Sequence, residues 1–444
     1  MGQLGSALVR TRELPLLQQL KYIESNLLVI NPKRFNDEIE EKPYWYNYYA
    51  GYSHSFAKTI IETASLSEAS VILDPWNGAG TTTLMSSVMG YRSVGIDLNP
   101  VMKIIARAKQ ATRTDVSAIE LRLSGLSKVR AKKISSNDPL FLWFRESGVI
   151  AIRKVERTIV ESGNFSSAAA KVDSLQANEC VLYTALFNCI RTYLRAFIPS
   201  NPTWIKKPKL DADKIEVSWK EFQARYISLV RDMLKGLKVE DHSWPIDQSL
   251  LKIASSSSLP LPNEYVDLVL SSPPYCTRID YGVATLPELA VISVSGSSGM
   301  DEVRRSLMGT TTVPKEIDKP AVGEIGELCF KFLEEVKTHS SKASHTYYYK
   351  NLTQYFISLS RSISEIFRVM RPKASFVCVV QDSYYKDLHC DLPSMIVELG
   401  LMAGLSLEKR IDFQSKQNMV NLNARSKSYR KDTTAYESVL IFLK

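Results

Sequence analysis

The sequence predicts an α/β fold, a mainly parallel sheet wound with helices and broken by a long helical insertion. Three observations predict it. Val71-Ile72-Leu73 is an apolar run of the kind that makes a buried parallel strand, and it ends in Asp74 and a Gly78-Ala79-Gly80 turn. Tyr265 to Leu270 is a second such run, stopped by the paired prolines of Ser272-Pro273-Pro274-Tyr275, which cannot continue a ladder. From about Val101 to Leu251 the spacing of apolar residues is mostly helical, over a length too great for a connection between strands.

At 444 residues and 45% hydrophobic, the chain has material for two or three domains, with no compositional sign of disorder. No apolar run reaches the roughly eighteen residues of a membrane span, and no signal-peptide core opens the chain, so a cytoplasmic address and no membrane partner are expected. Met1-Gly2-Gln3-Leu4-Gly5-Ser6 meets the loose myristoylation pattern, which is too short to outweigh this. The six cysteines form no CxxC pair and the five histidines no HxxxH spacing, so core thiols and no metal site are expected. A net charge of +9 favours a polyanionic partner, because a basic surface gains affinity by releasing phosphate counterions.

Residues 1 to 42 read as a lead-in, with a helix over Leu16 to Leu28 after Pro15 and a charged stretch at Asp37 to Lys42. The aromatic cluster from Tyr44 to Tyr49 reads as core packing, and Ile60, Ile61 and Ala64 as one helical face. After the first strand comes a helix over Thr83 to Met89, then a strand Ser93 to Ile96 that ends in Asp97. In an open parallel sheet the ends of adjacent strands line one crevice, so a carboxylate there can accept both hydroxyls of a ribose. The Gly78-x-Gly80 pair lets the backbone approach a ligand closely. Thr83 stands where a dinucleotide fingerprint has its third glycine, which favours a nucleoside without phosphates, S-adenosylmethionine, over a dinucleotide.

Within the insertion, helices are expected over Ile104 to Lys109, Ala118 to Lys128, Val149 to Ser162, Cys180 to Phe197 and Phe222 to Leu237. The loop Ser200 to Lys209 combines Trp204 with Lys206, Lys207 and Lys209, a composition that suits phosphates and a base as well as a solvated turn. Residues 286 to 345 read as irregular. A helix carrying Tyr355, Leu359, Ile363, Ile366 and Phe367 on one face follows, then a strand Ser375 to Val380, a helix Met395 to Leu399, and strands Ser406 to Phe413 and Ser438 to Leu443. The last two look like the antiparallel end of a methyltransferase sheet. Their connection holds Lys416, Arg425, Lys427, Arg430 and Lys431, a solvated basic loop or a phosphate-facing one.

These residues resemble the DNA amino-methyltransferases that make N4-methylcytosine or N6-methyladenine. The cofactor motif of that family, DPFxGxGTT, is matched by Asp74 to Thr82 with Trp76 in place of phenylalanine, and its catalytic (D/N/S)PP(Y/F) by Ser272 to Tyr275. Ser53 to Lys58 looks like its upstream motif. The resemblance covers residues 50 to 110 and 250 to 444 and leaves the helical insertion apart. It implies a Rossmann-like methyltransferase fold over 43–110 and 250–444, with 111–249 inserted as the candidate target-recognition domain in preference to 286–345. It further implies that Asp74, Pro75, Trp76, Gly78, Gly80 and Thr81 surround the amino-acid part of S-adenosylmethionine, with Phe56 and Lys58 nearby and Asp97 on the ribose. Ser255 stands where many relatives carry an acidic residue.

The chemistry accounts for the second motif. An exocyclic amine is a poor nucleophile because its lone pair is delocalised into the ring, so geometry and hydrogen-bond acceptors are what a protein must supply. By the resemblance, the Ser272 hydroxyl and the Pro273 carbonyl accept the amine hydrogens, Pro274 fixes that carbonyl, and Tyr275 stacks on a base flipped from double-stranded DNA. Lys206, Lys207, Lys209, Arg278, Arg425, Lys427 and Arg430 are the candidate DNA contacts. Serine in the first position leans toward cytosine N4 over adenine N6. An RNA base methyltransferase, a protein glutamine methyltransferase and a silent DNA-binding module remain as alternatives, as does a restriction or defence-system partner.

Overall fold

The computed structural model describes residues 27–33, 45–47, 51–160, 165–199, 204–239, 248–276, 280–294, 296–415 and 435–444. All but the last two residues of the helix expected over Leu16 to Leu28 lie outside these ranges, as do the charged stretch Asp37 to Lys42, Arg278, and Lys416, Arg425, Lys427, Arg430 and Lys431.

In chain order the strands are β1 (Val71–Asp74), β2 (Arg92–Asp97), β3 (Ser249–Ile253), β4 (Val266–Ser271), β5 (Met370–Gln381), β6 (Ser383–Tyr385), β7 (Leu388–Cys390), β8 (Ser406–Ser415) and β9 (Ala435–Leu443). Seven of them form one sheet in the order β3-β2-β1-β4-β5-β9-β8, while β6 and β7 pair as a separate hairpin. β1 to β5 run parallel, with Ile72 level with both Ser93 and Leu268. β9 enters antiparallel between β5 and β8, with Cys378 opposite Leu440 and Ile411 opposite Val439. Strand order reverses between β1 and β4, so a crevice opens at their C-terminal ends.

Side-chain alternation decides which helices cover which face. Ile72, Leu268, Leu270, Val377, Val379, Val439 and Ile441 share one face with α1 (His54–Thr63) and α2 (Thr81–Val88). α1 begins where the Ser53 hydroxyl caps the Phe56 amide at 3.1 Å, and it buries Phe56, Ala57, Ile60 and Ile61. Phe56, Ile60 and Ile61 each contribute roughly 1.5–3 kcal/mol when fully buried. Further helices along the chain are α3 (Pro100–Lys109), α4 (Val116–Gly125), α5 (Glu146–Ile159), α6 (Ala168–Asp173), α7 (Ala177–Tyr193), α8 (Trp219–Val239), α9 (Tyr281–Ala284), α10 (Leu286–Ile292), α11 (Gly296–Ser306), α12 (Val322–Ile325), α13 (Glu327–Thr338), α14 (Tyr349–Val369) and α15 (Leu392–Ala403). α13, α14 and α15 cover the second face of the sheet, over Val71, Leu73, Val269, Phe376, Cys378 and Phe442.

Two features depart from the sequence reading. The stretch 286–345 holds α10, α11 and α13 and is not irregular, and α13 buries Cys329, Phe332, Leu333 and Val336 at helical spacing. The edge strand β3 was not expected, because Ser249-Leu250-Leu251-Lys252-Ile253 is exposed at Leu250 and lacks the continuous apolar run of β1 or β4.

The helical body between β2 and β3 packs around Trp143, Phe144, Tyr183, Phe187 and Phe222, with α3 as its base. Its core also takes in Trp45, Tyr46 and most of α10, so residues outside 111–249 are built into it. Two buried ion networks fasten that junction. Arg153 on α5 binds Asp138 at 2.7 Å and Glu156 at 2.6 Å, and donates to the carbonyls of Ala290 (2.9 Å) and Val291 (2.5 Å) on α10. Arg191 on α7 binds Glu288 on α10 at 2.5 Å, where the Tyr46 hydroxyl also donates at 3.0 Å.

Candidate active site

The ends of β1, β2 and β4 open into one cleft of about 940 Å³ out to its mouth. Asp74, Pro75, Trp76, Gly78 and Thr81 from the first motif line it, with Asp97 from β2 and Ser272, Pro273, Pro274 and Tyr275 from the second motif. Residues far apart in sequence thus share one wall, as the strand order requires.

Asp74 joins the two motifs. Its carboxylate accepts from the Trp76 amide (3.1 Å) and the Thr82 hydroxyl (2.7 Å), and from the hydroxyl of Ser271, the residue immediately before the catalytic tip. Burial pushes its carboxyl up to about 6, against the opposing pull of the Ser271 and Thr82 hydrogen bonds. Asp97 accepts from the amides of Gly78 (2.9 Å) and Asn99 (2.8 Å), which ties β2 to the glycine turn. Burial raises it too, to about 6, with those amides lowering it in part.

The two glycines act differently. Gly78, at φ 47°, lies on the cleft wall. Gly80, at φ +81°, is not on the wall: a Cβ there would meet the Ala106 Cβ at 2.7 Å, so this glycine lets α2 and α3 approach closely. Phe56 and Lys58 also stand away from the cleft. Phe56 is fully buried against the sheet and packs edge-on to Tyr52 at 5.3 Å, and Lys58 is exposed, paired with Glu62 at 3.6 Å. Both are carried by α1, whose apolar face turns them inward and outward respectively; Gly51 and Tyr52, just before that helix, reach the cleft instead. Ser255 bonds Ser257 at 2.8 Å, and its neighbours Ala254 and Ser256 are the ones on the wall.

The Ser272–Tyr275 tip is held from several sides. Tyr355 on α14 donates to the Pro274 carbonyl at 2.7 Å, and the Tyr275 amide donates to the Tyr281 hydroxyl at 3.3 Å. Ser272 donates to the Tyr275 hydroxyl at 3.5 Å, and Tyr275 in turn to Glu437 at 3.3 Å. Tyr281 is itself positioned by Asp280, a fully buried carboxylate that accepts from Arg304 (3.1 Å) and from the Thr311 amide (3.1 Å) and hydroxyl (2.5 Å). Burial pushes the Tyr281 hydroxyl up to about 12. Tyr281, Asn99, Met102, Leu307 and Met308 line the cleft without having been singled out in the sequence. Asn99, two residues beyond Asp97, and Tyr281, six beyond Tyr275, stand near residues the sequence marks.

The wall is chemically matched to one kind of cofactor. It carries two carboxylates and, among the described lining residues, no lysine or arginine. Among the described lining residues a phosphate-bearing nucleotide finds no countercharge, whereas the two carboxylates suit a cationic nucleoside. S-adenosylmethionine has that chemistry. Among the described residues no group of three or more His, Cys, Asp or Glu side chains could hold a metal ion, and no helix is long and apolar enough to cross a membrane.

The parallel sheet closed by an antiparallel β9, with the glycine turn and the SPPY tip at one crevice, defines an S-adenosylmethionine-dependent methyltransferase fold. No protein-family model matches the chain. Among curated proteins it is 25% identical over 291 residues to the type II methyltransferase M.BsoBI of Geobacillus stearothermophilus, a match spanning 61% of this chain and 56% of that protein. M.AvaI of Nostoc sp. is 22% identical over 82% of this chain and 79% of its own length, and M.MvaI of Kocuria varians 20% over 77% of each. A solved S-adenosylmethionine-dependent methyltransferase from Methanosarcina mazei aligns at 10% identity over 87% of this chain and 96% of its own, with a TM-score of 0.30, so the fold assignment rests on strand order. The paired motifs and these curated relatives make the chain similar to the type II methyltransferases, at 20–25% identity.

Proposed function

We propose that the protein is a site-specific DNA methyltransferase, moving a methyl group from S-adenosylmethionine to the exocyclic amine of a base turned out of the double helix, with cytosine N4 the favoured amine. One observation carries the reading: Ser272 to Tyr275 and the turn from Asp74 to Thr81 face a single cleft and are bonded through Ser271 and Asp74. The type II methyltransferase relatives support it.

When bound, S-adenosylmethionine supplies an electrophilic methyl on a positively charged sulfur. Asp97 holds the ribose hydroxyls, and the backbone at Gly78 lets the ligand sit close. The Ser272 hydroxyl and Pro273 carbonyl accept the two amine hydrogens and so aim the nitrogen lone pair into the cleft. Tyr355 holds the neighbouring Pro274 carbonyl, which fixes the peptide planes of the tip. The Tyr275 ring stacks on the extruded base. Exposed Lys206, Lys207 and Lys209 face phosphates, with Arg278, Arg425, Lys427 and Arg430 as further candidates outside the described residues. The helical insertion reads the target sequence, and a companion restriction enzyme or defence system is the expected partner.

Mass analysis of nucleosides from DNA treated with the protein and labelled S-adenosylmethionine tests this. N4-methylcytosine is the expected product. N6-methyladenine would move the assignment to adenine, and label appearing in RNA alone would overturn the DNA reading.

A further inference from the structure

Serine is a demanding choice for the first position of the catalytic tip. A hydroxyl accepts hydrogen bonds less strongly than a carboxylate, and it cannot keep the proton that a methylated amine must release. Both difficulties disappear if the hydroxyl's own proton is drawn away from the cleft. The structure provides such a path. Ser272 donates to the Tyr275 hydroxyl at 3.5 Å, Tyr275 donates to Glu437 at 3.3 Å, and there the chain of hydroxyls ends on a carboxylate.

Glu437 lies near the start of β9, opposite Gln381 on β5 and Phe413 on β8, and is half-buried. The neighbouring charges are few. Tyr275 faces it from the tip and Lys33 acts on it from the segment before α1. Just past β5, Asp382 is occupied by the Tyr436 amide (3.2 Å) and His389 (3.0 Å); on β8, Asp412 is occupied by Ser438 (2.6 Å) and Arg410 (2.9 Å). Burial raises the Glu437 carboxyl above its ordinary range, with Tyr275 and Lys33 lowering it in part.

We propose that Glu437 is the positioning carboxylate of the active site, orienting the Ser272 lone pairs toward the amine through Tyr275 and receiving the reaction's proton along the same path. The inference rests on the methyltransferase reading above. As the nitrogen–carbon bond forms, the carbon–sulfur bond breaks and its electron pair stays on sulfur. The proton on the now cationic nitrogen passes to Ser272 Oγ, the serine proton to Tyr275 Oη, and the tyrosine proton to Glu437, from which it returns to solvent. No oxidant or further reactant is involved. The Tyr275 ring keeps its stacking role, since only the hydroxyl serves the relay.

The test compares the full-length parent with Glu437→Gln, Tyr275→Phe, the double variant, and Ser272→Asp in the Glu437→Gln background. Methyl transfer to double-stranded DNA is followed at saturating S-adenosylmethionine, so that Asp74 and Asp97, which act on cofactor binding, do not enter kcat. Glu437→Gln and Tyr275→Phe should each lower kcat about a hundredfold, the lower end of what proton transfer usually contributes, with the KM for cofactor unchanged. The double variant should be no worse than either single change. The parent's kcat should fall as pH drops through the raised Glu437 value, and Glu437→Gln should lose that dependence. Ser272→Asp, which puts a carboxylate directly at the tip, should restore transfer in the Glu437→Gln protein. Parent-like kcat and pH profile in Glu437→Gln or in Tyr275→Phe would overturn the relay, as would additive losses in the double variant. A parent that methylates no DNA would instead refute the functional reading itself.

Discussion

Asp97 makes two properties of the protein run in opposite directions with pH. Its carboxyl is raised from an ordinary 3.8 to about 6, first by burial. The folded state therefore holds the proton more tightly than the unfolded chain, and the ionised form at neutral pH costs stability. At about 1.4 kcal/mol per pH unit, that cost is about 3 kcal/mol at pH 7. It is relieved as pH falls through about 6 and is gone below the unfolded value of 3.8. With Asp97 on the ribose as proposed, cofactor binding moves the other way, because ribose hydroxyls are accepted best by the carboxylate. The perturbation is Asp97→Asn, which cannot ionise. Denaturant midpoints for parent and variant, both without cofactor and from pH 7.5 down to 4.5, isolate this residue, since every other titrating group is shared. The parent should gain on the variant by about 2 kcal/mol across that window. Calorimetric titration should show the parent's affinity for S-adenosylmethionine falling toward tenfold per unit below about pH 6, and the variant binding weakly throughout. Parallel stability curves would mean that Asp97 is not desolvated as described. A flat affinity in the parent would remove it from the cofactor site.

Three further outcomes follow from the packing and the surface. Gly80→Ala should cost about 2–5 kcal/mol, adding a clash with Ala106 to left-handed strain, while Gly90→Ala, equally left-handed but with open space around it, should cost only about 1–2; equal denaturant midpoints would contradict the close approach of α2 and α3. Arg191→Leu strands the buried Glu288 carboxylate and should destabilise by about 3–5 kcal/mol, most of which a second change, Glu288→Leu, should recover. Replacing Lys206, Lys207 and Lys209 together with glutamate should weaken DNA affinity and flatten its salt dependence without altering cofactor affinity, and an unchanged salt slope in a filter-binding titration would remove this loop from the DNA face.

What could be read from the sequence tracks how local its cause is. β1 and β4 were legible because each is a mainly apolar run ended abruptly, by Asp74 in one case and by Pro273 and Pro274 in the other. The pairing of these two ends needed only the rule that ligands gather where strand order reverses. β3 has a weaker signal because it lies at the sheet edge, where Leu250 is exposed, Lys252 and Ile253 are only half-buried and the apolar pattern is diluted. α13 was missed for a different reason. Its own spacing is helical, but the glycine, serine and threonine clusters on the way to it drew the whole region into a loop. Phe56 shows the limit of a motif: matching residues fixed the neighbourhood, while the turn of α1 decided that Tyr52, and not Phe56, reaches the cleft. The clamp of Asp280 by Arg304 and Thr311 has no sequence signal, because it exists only once α9 and α11 are folded against each other.

The place of β9 in the sheet bears on the order in which the protein can be assembled. β8 is made before β9, yet its pairing runs to β9, which lies between it and β5. A nascent chain stopped short of Ala435 therefore carries β8 as an unpaired strand beside an unfinished β5 edge, two open ladders with nothing between them. Closure of the sheet must wait for the ribosome to deliver the intervening strand, and with it Glu437, the carboxylate that accepts from the Tyr275 hydroxyl.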